Sequence, residues 1–503
     1  MPATPKQLER IRRLLKDRPG GERASAVTHN PWPGAIRVDL FLSRTLGQAL
    51  HEDAWVDDWI ERQRLRAGIE ATIVPLAEMA GWRIDAETGN VSHASGGFFS
   101  ITGITVRHRA PYGEIVWDQP AIDQPEVGIL GILAAPVNGV LHFCLQAKEE
   151  PGNIGPLQLS PTVQATYSNY TRAHGGAPIP LLEYFLDPPR ERILFAKLQT
   201  EDGGRFLYKS NRNMIVLLDQ APDLPGDTFI WLTLRQISRL LRRDNLLHAC
   251  SRSVLSSLVC GTCSGLTIDS IPEAGVAPSD LLDMLPGNLI SAGQPGQLQN
   301  ALQWLDDQRA ANHIFVKREP MNTLSEWAMA PDGAIRHREN RFFSILGLSV
   351  VGRGREVVAW GQPVLSPAGT GIIGLLMQRR GVRRYFLMQA KVDAGNRTTV
   401  QIGPTVQFTP MNYLGNHKLN KPFLFDEFSG NGRFTVLWEN RQSEEGARFY
   451  REEHRHCILL LPEGHELEAP PDFRWFSEDE LCFFLNLGDS VNSCARSILA
   501  CLI

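Results

Sequence analysis

The chain has 503 residues, more than one hydrophobic core of ordinary size organises, so two domains of roughly 250 residues are expected. Lys and Arg (51) nearly balance Asp and Glu (55), for a net charge of −4, and no dense basic tract occurs. This argues against an electrostatic partnership with nucleic acid or an anionic membrane and points to a small-molecule partner. With no signal-peptide-like start and no apolar run of about 18 residues, a cytoplasmic protein is expected.

Residues 1–20 read as a basic helical segment with Leu8, Ile11, Leu14 and Leu15 on one stripe, closed by Pro19 and Gly20. Residues 45–67 read as a second helix, and residues 74–85 (VPLAEMAGWRID) lead into a hairpin turning at Glu87-Thr88-Gly89-Asn90. From Phe98 the pattern is mainly β: FFSITGITVRH, GEIVWDQPAID, the buried run VGILGILA, then VLHFCLQAK and LQLSPTVQA. More strands follow at 194–198, 204–208 and 213–218. An amphipathic helix at 233–244 turns Ile237, Leu240 and Leu241 inward, and a shorter helical segment covers 246–258.

The eight cysteines sit mostly in apolar contexts, as reduced thiols do. Cys260 and Cys263 make a CxxC without the second ligand pair a zinc site needs, so the pair reads as a turn. Residues 261–279 are rich in Gly, Ser, Thr and Pro. The chain therefore divides into an N-terminal domain 1–263, a linker 264–279 and a C-terminal domain 280–503.

The second half replays the first. Gln146 aligns with Gln389, Lys148 with Lys391, Pro161-Thr162-Val163-Gln164 with the stretch from Pro404 to Gln407, and Asn169-Tyr170 with Asn412-Tyr413, at one offset of 243. GILGIL returns as GIIGLL and WDQP as WGQP, so the halves are two tandem α+β domains from an internal duplication.

In the strand ending at Lys148, alternation puts His142, Gln146 and Lys148 on one face and Leu141, Phe143, Leu145 and Ala147 on the other. The next segment sets Gln158, Ser160, Thr162 and Gln164 against Leu157, Leu159, Pro161 and Val163. Uncharged donor-acceptor groups of this kind suit a neutral polar ligand, although ordinary cross-strand pairs in an antiparallel sheet use the same residues. The second copy keeps Gln389, Lys391, Gln401, Thr405 and Gln407.

The stretches QPEVGILGIL and LQAKEEPGNIGPLQLSPTVQATYSNYTRAHGGAP, with their C-terminal echo, resemble the NDP-hexose 2,3-dehydratases from about Trp59 to Leu502. The resemblance implies two Nudix-like folds, each a mixed sheet with flanking helices, and a homodimer. It implies a nucleotide-linked 4-keto-6-deoxyhexose as substrate, typically dTDP-4-keto-6-deoxyglucose, in deoxysugar biosynthesis for antibiotics and similar metabolites. It further implies a downstream 3-ketoreductase and neither redox cofactor nor catalytic metal. No Nudix box and no Gly-rich dinucleotide fingerprint occurs in the sequence. A nucleotide-sugar-binding protein without chemistry, or a Nudix-type diphosphohydrolase, are the alternatives.

Such a dehydratase needs a base for the C3 proton, a donor for the enolate oxygen and an acid for the departing C2 hydroxyl. The candidates in the first copy are Lys148, Glu149, Tyr170 and His174. For binding they are Trp117, Gln146, Gln158, Ser160, Thr162, Gln164, Asn169 and Arg172, with Gln389, Lys391, Gln401, Thr405, Gln407, Asn412 and Tyr413 in the second copy. Glu149 aligns with Val392, Glu150 with Asp393 and Arg172 with Gly415, which makes the N-terminal pocket the expected catalytic one.

Overall fold

A strand apolar on both faces has to lie inside a sheet that is covered on both sides. The run beginning at Gly128 does so in a computed structural model that describes residues 34–503 apart from 46, 168–177, 261–295, 353–357, 381–382, 416–418 and 463. The first half contains helices α1 (Gly34–Arg44) and α2 (Asp53–Arg66), followed by strands β1 (Ile69–Val74), β2 (Trp82–Ile84), β3 (Val91–His93), β4 (Ser100–Ala110), β5 (Gly113–Asp123), β6 (Gly128–Val137), β7 (Val140–Lys148), β8 (Gln158–Pro161) and β9 (Val163–Ala165). After α3 (Glu183–Leu186) come β10 (Ile193–Thr200), β11 (Phe206–Leu207), β12 (Ser210–Leu217), β13 (Phe229–Leu232), α4 (Leu234–Leu241) and α5 (Ala249–Leu255).

The second half opens with α6 (Gln297–Ala311), β14 (His313–Glu319), β15 (Trp327–Met329), β16 (Ile335–His337), β17 (Phe343–Gly352), β18 (Ala359–Pro367), β19 (Gly371–Arg380), β20 (Arg383–Lys391), β21 (Gln401–Gly403) and β22 (Val406–Phe408). It closes with β23 (Thr435–Ser443), β24 (Glu453–Leu460), β25 (Phe473–Ser477), α7 (Glu478–Leu487) and α8 (Ser493–Leu499).

Each half builds one seven-stranded mixed sheet. In the first the order is β10-β12-β6-β7-β13, with β8 beside β7 and β9 beside β6; β6 and β12 run parallel and the other pairs antiparallel. The second repeats it with β23-β24-β19-β20, β25 and β21 beside β20 and β22 beside β19, and again one parallel pair, β19 with β24. The duplication inferred from the constant offset is thus repeated in strand order.

The smaller sheets do not respect the division of the chain. β1, from the first half, pairs along its length with β17 of the second, while β14, from the second half, pairs with β4 of the first. Each half has given its leading strand to the other. The core is shared as well: Ile132, Phe143 and Val254 pack in one cluster with Leu375, Phe386 and Ile498.

Helices α5 and α8 cross at the centre, and each presents a fully buried arginine to the other half. Arg252 donates to Ser497 Oγ at 2.8 Å and to the Ser443 carbonyl at 2.7 Å; Arg496 donates to Ser253 Oγ at 2.9 Å and to the Thr200 carbonyl. A guanidinium with several donors is tolerated there because carbonyls at the ends of β23 and β10 need partners.

The expected hairpin forms, with Ile84 opposite Val91 and the turn held by Asp85 accepting the Thr88 N–H at 2.8 Å. The helix expected at 45–67 begins at Asp53, and a further helix, α1, precedes it. The helix expected from 233 is α4, opened by a capping box between Thr233 and Gln236; Ser477 and Glu480 do the same for α7. The segment 1–20, the CxxC pair and the linker lie outside the described residues. Among the described residues no helix is long and apolar enough to cross a membrane.

Candidate active site

Strand β7 emerges from the core near its C-terminal end. Leu145 is fully buried whereas Gln146 and Lys148 are half-buried, and Glu150, two residues on, points to the same side as Lys148. The Lys148 ammonium lies 3.0 Å from Glu150 Oε1 and donates to Gln164 Oε1 at 2.9 Å; Gln164 Nε2 in turn donates to Glu150 Oε1 at 3.3 Å.

The other Glu150 oxygen accepts from His248 Nε2 at 2.8 Å and from the Ala447 N–H at 3.0 Å. His248 caps α5 and accepts the Cys250 N–H on Nδ1, so the proton of a neutral ring sits on Nε2, facing the carboxylate. Burial opposes ionisation of Glu150, but Lys148 and His248 outweigh it and hold the carboxyl well below the usual range.

A cavity of about 160 Å³ opens beside this cluster. Lys148, Glu150 and Gln164 line one side, and Glu201, Lys209 and Asn211, at the adjoining ends of β10 and β12, line another. Glu445, Ala447 and Arg448 come from the second half. Burial and the nearby Glu201 push the Glu445 carboxyl above its ordinary range, against the pull of Arg448. A second cavity, of about 350 Å³, meets the first at Gly128 and is lined by Glu126, Val127, Ile129, Tyr167 and Arg212.

The segment following β23 reaches this cavity because glycine meets glycine. The Gly152 N–H donates to the Gly446 carbonyl at 2.8 Å and the Arg451 N–H to the Gly152 carbonyl at 2.8 Å. A Cβ on Gly152 would fall 1.9 Å from the Phe449 carbonyl oxygen, so no other residue fits without moving the segment. The converse contact uses Gly395, whose N–H donates to Gly203 at 2.7 Å and whose Cβ would fall 1.6 Å from the Phe206 carbonyl oxygen.

The corresponding place in the second half differs in its chemistry. Lys391 lies 3.8 Å from Asp393, and Asn492, not a histidine, caps α8 and donates to Gln407 at 2.9 Å. Asp202 of the first half lies near Lys391, and burial pushes its carboxyl up. Where the first cavity has Lys209 and Asn211, the second half carries Glu452 and His454, the latter 3.3 Å from Glu444.

Of the sequence-derived candidates, Lys148 and Gln164 come together. Glu149 faces away, accepting the Gly68 and Ile69 N–H groups at 2.7 and 2.9 Å; consecutive strand residues point to opposite faces, so it does not stand beside the lysine's ammonium. The polar side of β8 does not line the cavity either. Gln158, Ser160 and Thr162 are buried: Gln158 donates to Asn245 and Ser443, and Thr162 bonds the β6 and β7 backbones at Leu133 and Cys144.

Gln401 and Thr405 repeat these roles with Thr200, Asp489, Leu376 and Leu387. His142, expected on the polar face, is buried and accepts the Leu50 N–H. Trp117 donates to Gln119 and lies outside the cavity lining, as does Gln146, opposite Phe229 and Ser160. Gln389 donates to Asp472, Asn412 accepts the Phe342 N–H, and Tyr413 packs on Phe408 and Phe425. Asn169, Tyr170, Arg172 and His174 lie outside the described residues, as does the second copy's His417.

Glu150 is absent from the sequence-derived candidates although its two-residue spacing from Lys148, repeated in Lys391 and Asp393, puts acid and lysine on one face. His248, Lys209, Arg212, Glu445 and Arg448 have no local signal, since they reach the cavity only through the tertiary fold.

A family model described as NDP-hexose 2,3-dehydratase matches residues 53–258 and again 298–502. Three relatives carry the name dTDP-4-dehydro-6-deoxy-alpha-D-glucopyranose 2,3-dehydratase. One from Amycolatopsis orientalis is 37% identical over 93% of this chain and 93% of its own. One from Saccharopolyspora spinosa is 36% identical over 88% of this chain and 90% of its own, and one from Streptomyces violaceoruber is 35% identical over 88% and 95%.

Proposed function

The chain belongs to the NDP-hexose 2,3-dehydratase family, and on that premise we propose that it removes the C2 hydroxyl of a dTDP-4-keto-6-deoxyhexose, giving a 3,4-diketo-2,6-dideoxy sugar nucleotide. The observation that carries the assignment to a place in the molecule is the Lys148, Glu150, Gln164 and His248 cluster on the wall of a cavity that continues toward Arg212. The hexose occupies the smaller cavity, and the diphosphate and nucleoside extend past Gly128 toward Arg212 and Tyr167, with Arg172 as a further phosphate ligand.

The C4 ketone acidifies the C3 proton. Once that proton is removed, charge develops on the C4 oxygen, and Lys148, fixed between Glu150 and Gln164, supplies the cation that stabilises it. Tyr170 and His174 are proposed as hydrogen-bond donors that orient the C2 hydroxyl for departure. The N-terminal pocket is the catalytic one; the pocket at Lys391, with Gln407, Asn412 and Tyr413, binds nucleotide sugar or stabilises the fold.

We also propose that residues 1–263 and 280–503, joined by 264–279, are the duplicated units and that each derives from a Nudix-like sheet, supported by one parallel strand pair in each otherwise antiparallel sheet. The enzyme is proposed to be a cytoplasmic homodimer whose product passes to a 3-ketoreductase.

Purified, metal-stripped protein incubated with dTDP-4-keto-6-deoxyglucose should yield a diketo sugar, trapped by a 3-ketoreductase with NADPH. Turnover should survive EDTA and need no NAD(H) in the dehydration step, because elimination beside an existing ketone has no net redox change. Release of dTMP would indicate a diphosphohydrolase, binding without turnover a non-catalytic protein, and restoration by divalent metal after chelation would overturn the metal-free reading.

A further inference from the structure

We propose that Glu445, delivered by the second half of the chain into the cavity of the first, is the group that takes the C3 proton and returns it to the departing C2 hydroxyl. This rests on the dehydratase reading above. The segment carrying Glu445 is locked to the site at three points. Arg252 holds the Ser443 carbonyl at 2.7 Å, Gly446 accepts the Gly152 N–H, and the Ala447 N–H is bound to Glu150. The last contact ends on the same carboxylate that positions Lys148, so a single residue sets the base segment and the enolate-stabilising cation in register.

Glu445 is the wall residue suited to accept a proton. Glu150 is committed to Lys148, His248 and Ala447, and Glu201 accepts from Asn211 at 2.6 Å. Glu445 is half-buried on the cavity wall, with the weak Cys250 thiol 3.6 Å from one of its oxygens. The groups facing it are Glu201 and Lys209 at the ends of β10 and β12, Lys148 at the end of β7 and Glu150 just after it, Cys250 on α5 and Arg448 on its own segment. Burial and the two glutamates raise its proton affinity, which suits a group that must gain a proton and then surrender it.

The step balances without an external acid. The Glu445 carboxylate takes the C3 proton, the C–H electron pair becomes the C3–C4 double bond of the enolate, and the C4 oxygen carries the charge opposite Lys148. Collapse of the enolate forms the C2–C3 double bond and breaks the C2–O bond, and the proton held by Glu445 goes to the leaving hydroxyl, releasing water. In a gluco-configured ring the C3 hydrogen and the C2 hydroxyl lie on the same face, so one carboxyl serves both. The enol product then tautomerises to the diketone.

The test uses the full-length protein. Glu445→Gln should lower kcat about 10²- to 10⁴-fold, the usual loss on removing a general base, while dTDP binding by calorimetry stays within a few-fold of wild type. Glu445→Asp should recover part of the rate. The ascending limb of the wild-type pH–rate profile should lie above the ordinary glutamate value of about 4.3 and move to lower pH in Glu201→Gln, which removes a repelling charge. Turnover of Glu445→Gln within threefold of wild type overturns the proposal. If that variant fails to fold, an unmoved limb in Glu201→Gln overturns it instead. A wild type that does not turn over the sugar would remove the dehydratase reading itself, a separate outcome.

Discussion

At the scale of single residues, the two lysines that end the repeated strands have different surroundings. Lys148 meets Glu150, Gln164 and, through Glu150, a histidine, whereas Lys391 faces Asp393 at 3.8 Å with Asn492 in the histidine's place. Lys148→Ala should therefore reduce turnover by about 10²-fold or more, the scale of a lost oxyanion stabiliser, and Lys391→Ala by far less, with folding checked by thermal melting. The reverse order in two folded proteins would assign the chemistry to the second pocket. The sequence makes Lys148 and Gln164 legible because period-two alternation is local. The same rule shows why Glu149 misleads: adjacency along a strand is opposition in space. His248 and Glu445 were beyond reach, since nothing near either in sequence announces the cavity they enter.

At the scale of elements, the segments after β7, β10 and β23 concentrate buried carboxyls of two kinds. Burial opposes the ionisation of Glu150 and Glu444, yet the Lys148–His248 pair and His454 with Arg252 hold both below the usual range, Glu444 to about 2. Such groups stabilise the fold above the unfolded value of about 4.3 and lose that contribution as pH falls toward the folded value. Burial, offset only in part by Arg205 and Arg448, raises Asp202, Glu445 and Glu452, and these work in the other direction, destabilising progressively as pH rises from the unfolded value through the folded one. The melting temperature of the free protein should consequently peak at about pH 4–6 and fall on both sides, measured by scanning calorimetry across pH 3 to 9. A maximum at pH 8 would mean that the raised carboxyls find compensation the structure does not contain.

At the scale of the whole molecule, strand exchange decides how the chain unfolds. The sequence discloses the duplication through its constant offset and even the order of elements, but it is silent on the exchange of β1 and β14. Both strands precede equivalent hairpins and meet equivalent partners, β17 and β4, so either pairing satisfies the same pattern of alternation. Once exchanged, neither half can unfold alone without stripping a strand from its neighbour, opening the shared core and exposing Arg252 or Arg496 partners across the centre. Calorimetry should accordingly show one transition with equal calorimetric and van't Hoff enthalpies, although two domains of this size ordinarily melt separately. For the same reason residues 1–263 produced alone should be insoluble or associate, while co-production with residues 280–503 should recover soluble protein and turnover. Two resolved transitions, or a soluble monomeric first half with a native melting temperature, would show that the exchanged strands contribute little to holding the halves together.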